Sequence, residues 1–262
     1  MKPKKSLGQN FLTSEGAVDS ILDAGDVLGE DIILEIGPGK GVLTKKLLEF
    51  GGKVLAVEKD DELFEVLKEK FKKELKNKKL TLIHEDILDF DPKDFGLAPN
   101  GYKLIANIPY NLTGQIIRKF LESKIQPERM VLMVQREVAQ RIVAKDGKES
   151  ILSISVKAYG EPKYVQTVKA GSFFPIPNVD SAILLIENIS KNYFNTFSEE
   201  DFFRFVRAGF ASKRKKLSSN LSVVTDKEKV KNAFEELKLS DNTRAEDIRT
   251  DIWAKIVHKL VV

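Results

Sequence analysis

Three glycines, Gly37, Gly39 and Gly41, stand at alternate positions behind an apolar run, Ile32-Ile33-Leu34, and an acid, Glu35. Glycines at such a place let a ligand come close to the backbone, where a Cβ would block it. Two more acids end the next apolar runs: Glu58 follows Lys53-Val54-Leu55-Ala56-Val57, and Asp86 follows Leu80-Thr81-Leu82-Ile83-His84-Glu85. A carboxylate at the end of the second strand of a Rossmann-like unit can accept both ribose hydroxyls of an adenosine. One at the end of the third strand can accept from an adenine amino group. The dinucleotide fingerprint G-x-G-x-x-G/A fits less well, because Val42 occupies the place of its third glycine. A fourth run, Tyr102-Lys103-Leu104-Ile105-Ala106, ends in Asn107-Ile108-Pro109-Tyr110. A side-chain amide oxygen beside a main-chain carbonyl can accept the two N–H bonds of an exocyclic amino group, whose lone pair is otherwise delocalised into its ring. The Tyr110 ring can stack on a base withdrawn from its helix.

These residues need strands and helices to hold them. The apolar run before the glycines reads as a buried strand, and residues 42–50 follow with helical spacing up to Gly51-Gly52. Strand, glycine turn and helix open a Rossmann-like unit, with its ligand at the carboxyl end of the strand. Residues 14–24 form an amphipathic helix through Ala17, Val18, Ile21 and Leu22. Asp60 caps another, whose apolar face is Leu63, Phe64, Leu67, Phe71 and Leu75. Residues 116–121 and 137–144 look helical on either side of a strand at 130–134. Strands alternating with helices imply a parallel sheet covered on both faces. Residues 150–159 fit both the helical and the strand period. Residues 164–168 and 182–186 read as an antiparallel strand pair at the sheet edge, around the turn Phe174-Pro175-Ile176-Pro177. Beyond Ser190 three amphipathic helices follow, at about 199–210, 227–237 and 248–260. The expected organisation is a ligand-binding α/β domain over residues 1–190, beginning with an arm at 1–12, and a small helical domain over 191–262.

The chain has 262 residues, no cysteine and only two histidines, His84 and His258, far apart in sequence. Disulfides, thiolate metal sites and cysteine nucleophiles are thereby excluded, and no metal site is expected. No apolar run reaches the roughly 18 residues of a membrane span, and the first residues, MKPKKSLGQNFL, lack the apolar core of a signal peptide. A cytoplasmic protein is expected. The formal net charge is +4. Residues 1–190 hold 28 basic and 28 acidic residues, whereas 191–262 hold 15 and 11. Two basic clusters, Lys2, Lys4 and Lys5 at the tip and Lys213-Arg214-Lys215-Lys216, suit a polyanion or, alternatively, mark solvated faces. Phe202, Phe203 and Phe205 read as core rather than as a base-stacking platform.

The pattern Glu35-x-Gly37-x-Gly39-x-Gly41 resembles the first motif of S-adenosylmethionine-dependent methyltransferases. Beside such a donor the Asn107–Tyr110 turn needs no strong base, since positioning and charge complementarity supply most of the rate. The whole chain resembles the ribosomal RNA adenine N6-dimethyltransferases, in their small-subunit (16S) branch. The resemblance rests on Leu7 to Leu12 (LGQNFL), residues 35–43, Glu58, Glu85-Asp86, residues 107–110, Gln135-Arg136-Glu137-Val138, residues 173–181 (FFPIPNVDS) and residues 213–221 (KRKKLSSNL). It implies a class I methyltransferase with a mainly parallel seven-stranded sheet and an all-helical C-terminal domain. It implies S-adenosylmethionine contacts at Asn10, Leu12, Gly37, Glu58, Asp86 and Asn107, with Gly39 and Gly41 completing the turn. A catalytic set of Asn107, Ile108, Pro109 and Tyr110 is implied, with Phe173 packing on the target base. RNA contacts would fall on Lys4, Lys5, Lys213, Arg214, Lys215 and Lys216. The product implied is dimethyladenosine at two adjacent adenines near the 3′ end of small-subunit rRNA, made by a monomer acting on an assembling 30S particle. Two departures are Ile108, where many members have leucine, and Asn178, where many have a basic residue; the first preserves volume, the second is expected to weaken one phosphate contact, and neither touches the chemistry. Three other readings compete: a 23S rRNA methyltransferase of the macrolide-resistance type, a non-catalytic assembly or nucleic-acid-binding factor on the same fold, and a DNA adenine methyltransferase. The last would need a larger base-reading domain than 191–262.

Overall fold

A computed structural model describes Lys4 and residues 8–261 of the chain. In chain order the elements are β1 (Phe11–Leu12), α1 (Glu15–Gly25), β2 (Ile32–Ile36), α2 (Val42–Phe50), β3 (Lys53–Glu58), α3 (Asp61–Lys70), α4 (Lys72–Lys76), β4 (Leu80–His84), β5 (Lys103–Asn107), α5 (Thr113–Glu122), β6 (Arg129–Gln135), α6 (Arg136–Val143), α7 (Ile151–Lys157), β7 (Glu161–Val168), β8 (Phe173–Phe174), β9 (Ser181–Glu187), α8 (Glu199–Phe210), α9 (Leu217–Leu221), α10 (Lys227–Glu236) and α11 (Thr250–Val261). The described residues divide into two compact units, those up to 139 with 161–189, and 140–160 with 190–261. The stretch 140–160 therefore goes with the helical unit, although the sequence pattern assigned it to the first.

The first unit is built on a seven-stranded sheet in the order β4-β3-β2-β5-β6-β9-β7. β4, β3, β2, β5 and β6 pair in parallel, and β9 runs antiparallel to both β6 and β7. The central strands are apolar on both faces, as helices on each side of a parallel sheet require: Ile33, Leu34, Leu104, Ile105, Val131 and Leu132 are all buried. One charged exception is Lys103 at the start of β5, buried and held by Asp31 at 2.8 Å and by the Asp26 carbonyl. It sits at the end of the strand remote from Asn107, where a paired charge fixes the strand without entering the ligand end.

A two-stranded sheet, invisible in the hydrophobic pattern, joins the arm to the far end of the unit. β1 pairs antiparallel with β8, Phe11 opposite Phe174 and Leu12 opposite Phe173. Thr13 extends the pairing through its N–H to the Ser172 carbonyl at 2.8 Å. In the second unit residues 151–157 resolve to helix, because Ser150 and Ser153 cap each other's backbone N–H reciprocally. Phe202, Phe205, Trp253 and Leu217 form the helical core, all fully buried. Among the described residues no helix is long and apolar enough to cross a membrane, and no three His, Cys, Asp or Glu side chains converge to hold a metal ion.

Candidate functional site

The carboxyl ends of β2, β3, β4 and β5 open on a cavity of about 340 Å³, within the range that takes a small-molecule cofactor. Its walls include Asn10 and Leu12 from the arm, Gly37 and Gly39 from the glycine turn, Glu58, Asp86, and the whole of Asn107, Ile108, Pro109 and Tyr110. Residues up to about 100 positions apart in sequence are thus brought to one rim. Gly41 and Phe173 do not line it.

The three glycines are glycine for three reasons. A Cβ on Gly37 would stand in open space, with nothing within 4 Å, so this is the face left free for a ligand. At Gly39 it would meet the Phe11 ring at 2.9 Å, so the arm lies against the turn. At Gly41 it would strike the Phe71 ring at 2.5 Å. Gly41 is therefore required by the packing of the turn on Leu67 of α3 and on Phe71 just beyond it, and its role in the site is indirect. Lys70 braces the same turn, donating from Nζ to the Lys40 carbonyl at 2.6 Å.

Glu58 is nearly buried, and each of its oxygens accepts one backbone N–H: Gly39 to Oε2 at 3.2 Å and Asp60 to Oε1 at 2.9 Å. One lone pair on each oxygen remains for a diol, which fits the expected ribose contact. Burial pushes its carboxyl up, and the Asp60 and Gly39 N–H groups pull it back part of the way. Burial acts on Asp86 too, but there the Leu88 N–H and the Lys59 ammonium, 2.5 Å away, outweigh it and hold the carboxyl below its ordinary value. Asp86 therefore offers a charged acceptor to the cavity, which fits the expected contact with an adenine amino group.

Asn107 Nδ2 donates to the Asn10 carbonyl at 3.0 Å. With the amide nitrogen engaged, Oδ1 is left as the acceptor on the cavity rim, which is the orientation an incoming amino group needs. Tyr110 shares a 2.6 Å hydrogen bond with Ser181 Oγ at the start of β9. Burial pushes its phenol up, so it stays neutral at ordinary pH.

The structure differs from expectation at Phe173. That ring is 2% exposed, opposite Leu12 in the β1–β8 pair and inside the apolar core, so it cannot lie on a base as placed. The period-2 alternation of a strand points its neighbour outward: Phe174 is 56% exposed, with Lys40 Nζ 5.6 Å from its ring centre. Lys4 also differs. Its ammonium pairs with Asp60 at 2.9 Å and with Glu62 at 3.1 Å, so it is a tie between the arm and α3 and not a free cation for phosphate. Lys2, Lys5 and Leu7 lie outside the described residues. By contrast Lys213, Arg214, Lys215 and Lys216 lie in the turn between α8 and α9, at least partly exposed, and none has an acidic partner among the described residues. The turn is shaped by Asn220, which donates to the carbonyls of Gly209 at 2.6 Å and Ser212 at 3.1 Å.

Three residues at the site went unassigned in the sequence. Glu35, on β2, is 1% exposed and lines the cavity, and burial lifts its carboxyl to about 8. Asp60 was legible as a helix cap. It also receives Lys4 and, at 3.1 Å, Gln9 Nε2 from the arm. Ser181 was legible only as the last residue of a motif.

A glycine turn open to a cavity, a buried carboxylate at the end of β3 and a charged one just beyond β4 are the arrangement expected of a class I methyltransferase site. The wider comparisons agree. The family model described as Ribosomal RNA adenine dimethylase matches residues 1–261. The ribosomal RNA small subunit methyltransferase A of Dehalococcoides mccartyi is 42% identical over 258 residues, covering 98% of this chain and 88% of that protein. The crystal structure of a dimethyladenosine transferase from Plasmodium falciparum superposes with a TM-score of 0.82 at 26% identity, covering 94% of this chain and 95% of the other. The 23S rRNA methyltransferase ErmE has a TM-score of 0.78 at 22% identity, covering 97% and 100%, which is a likeness of fold. The chain belongs to the ribosomal RNA adenine dimethylase family, and it is an S-adenosylmethionine-dependent methyltransferase.

Proposed function

We propose that the protein places two methyl groups on N6 of each of two adjacent adenines near the 3′ end of small-subunit rRNA, acting as a cytoplasmic monomer on an assembling 30S particle. The observation that carries this reading is the Asn107 amide, fixed through Nδ2 by the Asn10 carbonyl so that Oδ1 faces an incoming amino group as acceptor. The name of the 42% identical relative supports the choice of the small subunit. S-adenosylmethionine, when bound, supplies a methyl group on a sulfonium, an electrophile that needs no further activation. The cavity fits it: Glu58 would hold the ribose hydroxyls, Asp86 the adenine amino group, and the open face of Gly37 would leave room for the methionine end. Asn107 Oδ1 and the Ile108 carbonyl would accept the two N–H bonds of the target nitrogen. That favours a pyramidal nitrogen with its lone pair directed at the methyl group. The methylated nitrogen, now cationic, releases one proton to water; one N–H then remains and one acceptor suffices, so the same site can serve twice. Tyr110, held by Ser181, would stack on the flipped base. Phe174 replaces Phe173 as the aromatic residue exposed for RNA, and the run Lys213–Lys216 would bind phosphates.

Asn107 acts on the nitrogen as it becomes nucleophilic, so its effect is larger in the transition state than in the ground state. Asn107→Ala should cut single-turnover methylation by about 10²-fold or more, with RNA affinity nearly unchanged because phosphate contacts lie elsewhere. The assay is mass spectrometry of both 16S and 23S rRNA after reaction with labelled cofactor at saturation. A folded Asn107→Ala enzyme that dimethylates at the wild-type rate refutes the catalytic role. Label found only in 23S rRNA refutes the substrate.

A further inference from the structure

A second cavity, of about 300 Å³, lies at the same end of the sheet and takes no part in the chemistry above. It is lined by Gln135, Arg136, Glu137, Asn178, Val179 and Asp180. Gln135 ends β6 and stands opposite Ser181 of β9. Asn107 pairs with Met133, so Gln135 lies one strand over, roughly 5 Å in a sheet, and two residues further toward the ligand end. Ser181 Oγ in turn bonds the Tyr110 hydroxyl. One residue thus links the wall of the second cavity to the ring proposed to stack on the target base.

The lining has a definite chemical character. Asp180 accepts from Arg136 at 3.1 Å, from Lys169 at 3.2 Å and from the Ala170 N–H at 3.1 Å. Two cations share that one carboxylate, and Glu137 adds an exposed negative charge, so the charges there sum to zero. A neutral lining favours a base over a phosphate. The amides of Gln135 and Asn178 have no hydrogen-bond partner among the described residues. A side-chain amide, donor and acceptor side by side, matches the N6 and N7 edge of adenine, and single-stranded bases are read on such edges.

We propose that this cavity binds the base of the adenine next to the one being methylated, with Gln135 and Asn178 reading its edge and the Arg136–Asp180 pair forming the wall. The proposal rests on the dimethylation of adjacent adenines argued above and adds a specificity site to it. The first adenine would be methylated while its unmodified neighbour is read in this cavity on N6 and N7; when the two exchange places, the dimethylated base has no N6–H and keeps only N7 as an acceptor for the amide donors.

The test uses the full-length protein and small ribosomal subunits whose rRNA carries guanine in place of one of the two adenines. Single-turnover methylation of the remaining adenine is compared with the same position in unaltered subunits. The wild-type enzyme should be slowed about tenfold by the neighbouring guanine, the scale of one good amide–base pair. Gln135→Ala and Asn178→Ala should each be slower on unaltered subunits and should lose most of that discrimination. Comparing ratios removes any effect of guanine on the RNA itself. Wild-type rates independent of the neighbour, or variants that discriminate as well as wild type, overturn the second site and leave the proposed function standing. Failure of wild type to methylate unaltered subunits overturns both. Asn178→Asp supplies a further check in a loop: it keeps the shape but loses the donor, and unchanged discrimination there excludes Asn178 from the readout.

Discussion

Glu58→Gln separates the ribose acceptor from the scaffold that holds it. In the wild type each carboxylate oxygen accepts one backbone N–H and keeps a lone pair for a hydroxyl. Glutamine has only one acceptor oxygen. The shorter bond, 2.9 Å to the Asp60 N–H, will keep it. The Gly39 N–H, 3.2 Å away in the wild type, then faces an NH₂ group. A stranded buried N–H costs about 1–3 kcal/mol, and a hydrogen bond to a charged group is worth about 1.5–3 kcal/mol net. The first loss acts on the folded protein with or without cofactor and appears as a lower melting temperature. The second appears in cofactor affinity. At 1.4 kcal/mol per tenfold, the dissociation constant should rise roughly 10- to 100-fold. Titration calorimetry with S-adenosylmethionine measures it, alongside thermal melting and RNA binding, which should stay within about twofold because phosphate contacts dominate it. A cooperatively folded variant whose cofactor affinity is within about threefold of wild type, well short of that range, would refute the assignment of Glu58 to the ribose.

Neutralising Lys213, Arg214, Lys215 and Lys216 together should weaken RNA binding and reduce the slope of log K against log salt by roughly 3, on about 0.7 per released counterion for single strands. Filter binding across a salt series measures the slope, and Lys4→Ala should leave it unchanged because Lys4 is already paired with Asp60 and Glu62. Glu35 sets a pH dependence: with its folded carboxyl lifted to about 8 above an ordinary 4.5, the folded state holds a proton that the unfolded state releases. Stability should therefore fall by up to about 1.4 kcal/mol per pH unit between pH 4.5 and 8 and level off above, and Glu35→Gln should flatten that fall in denaturant melts of the cofactor-free protein.

The pattern of apolar runs was enough wherever the question was which strand ends meet at one cavity. Gly37, Glu58, Asp86 and Asn107 each close an apolar run, and a parallel sheet must bring such ends to one side. It failed where a residue's neighbour is set by long-range pairing. Phe173 and Phe174 are indistinguishable by type; only the pairing of β8 with β1, some 160 residues earlier in the chain, decides which ring is buried. Lys4 counted as a surface cation because its acidic partners, Asp60 and Glu62, are more than 50 positions away. Gly41 looked like its two predecessors, yet Phe71 is what excludes a side chain there. Helix or strand at 150–159 was undecided by period and is decided by a local cap, Ser150 with Ser153, two serines too common to weigh beforehand.

The arm explains why the proposed cofactor and catalytic residues form one assembly. Asp60 holds Glu58 through its backbone N–H, caps α3 through Oδ1, and through Oδ2 receives Lys4 and Gln9. Gln9 precedes Asn10, and the Asn10 carbonyl fixes the Asn107 amide. The path from ribose acid to catalytic amide thus runs Glu58, Asp60, Gln9, Asn10, Asn107, each step a hydrogen bond or a peptide bond. β1 then anchors the arm beyond Asn10 to β8, and Phe11 rests on Gly39 of the glycine turn. Asp86 contrasts with this: its side-chain partners, Lys59 and Leu88, belong to the same rim, and Leu88 leads on to Lys119 of α5, whose Nζ donates to the Leu88 carbonyl at 2.8 Å, and not to the arm. A disturbance at Asp86 should stay with the end of the cavity proposed for the adenine. A disturbance at Asp60 should reach both the acid proposed for the ribose and, through the arm, the amide proposed to accept from the target nitrogen.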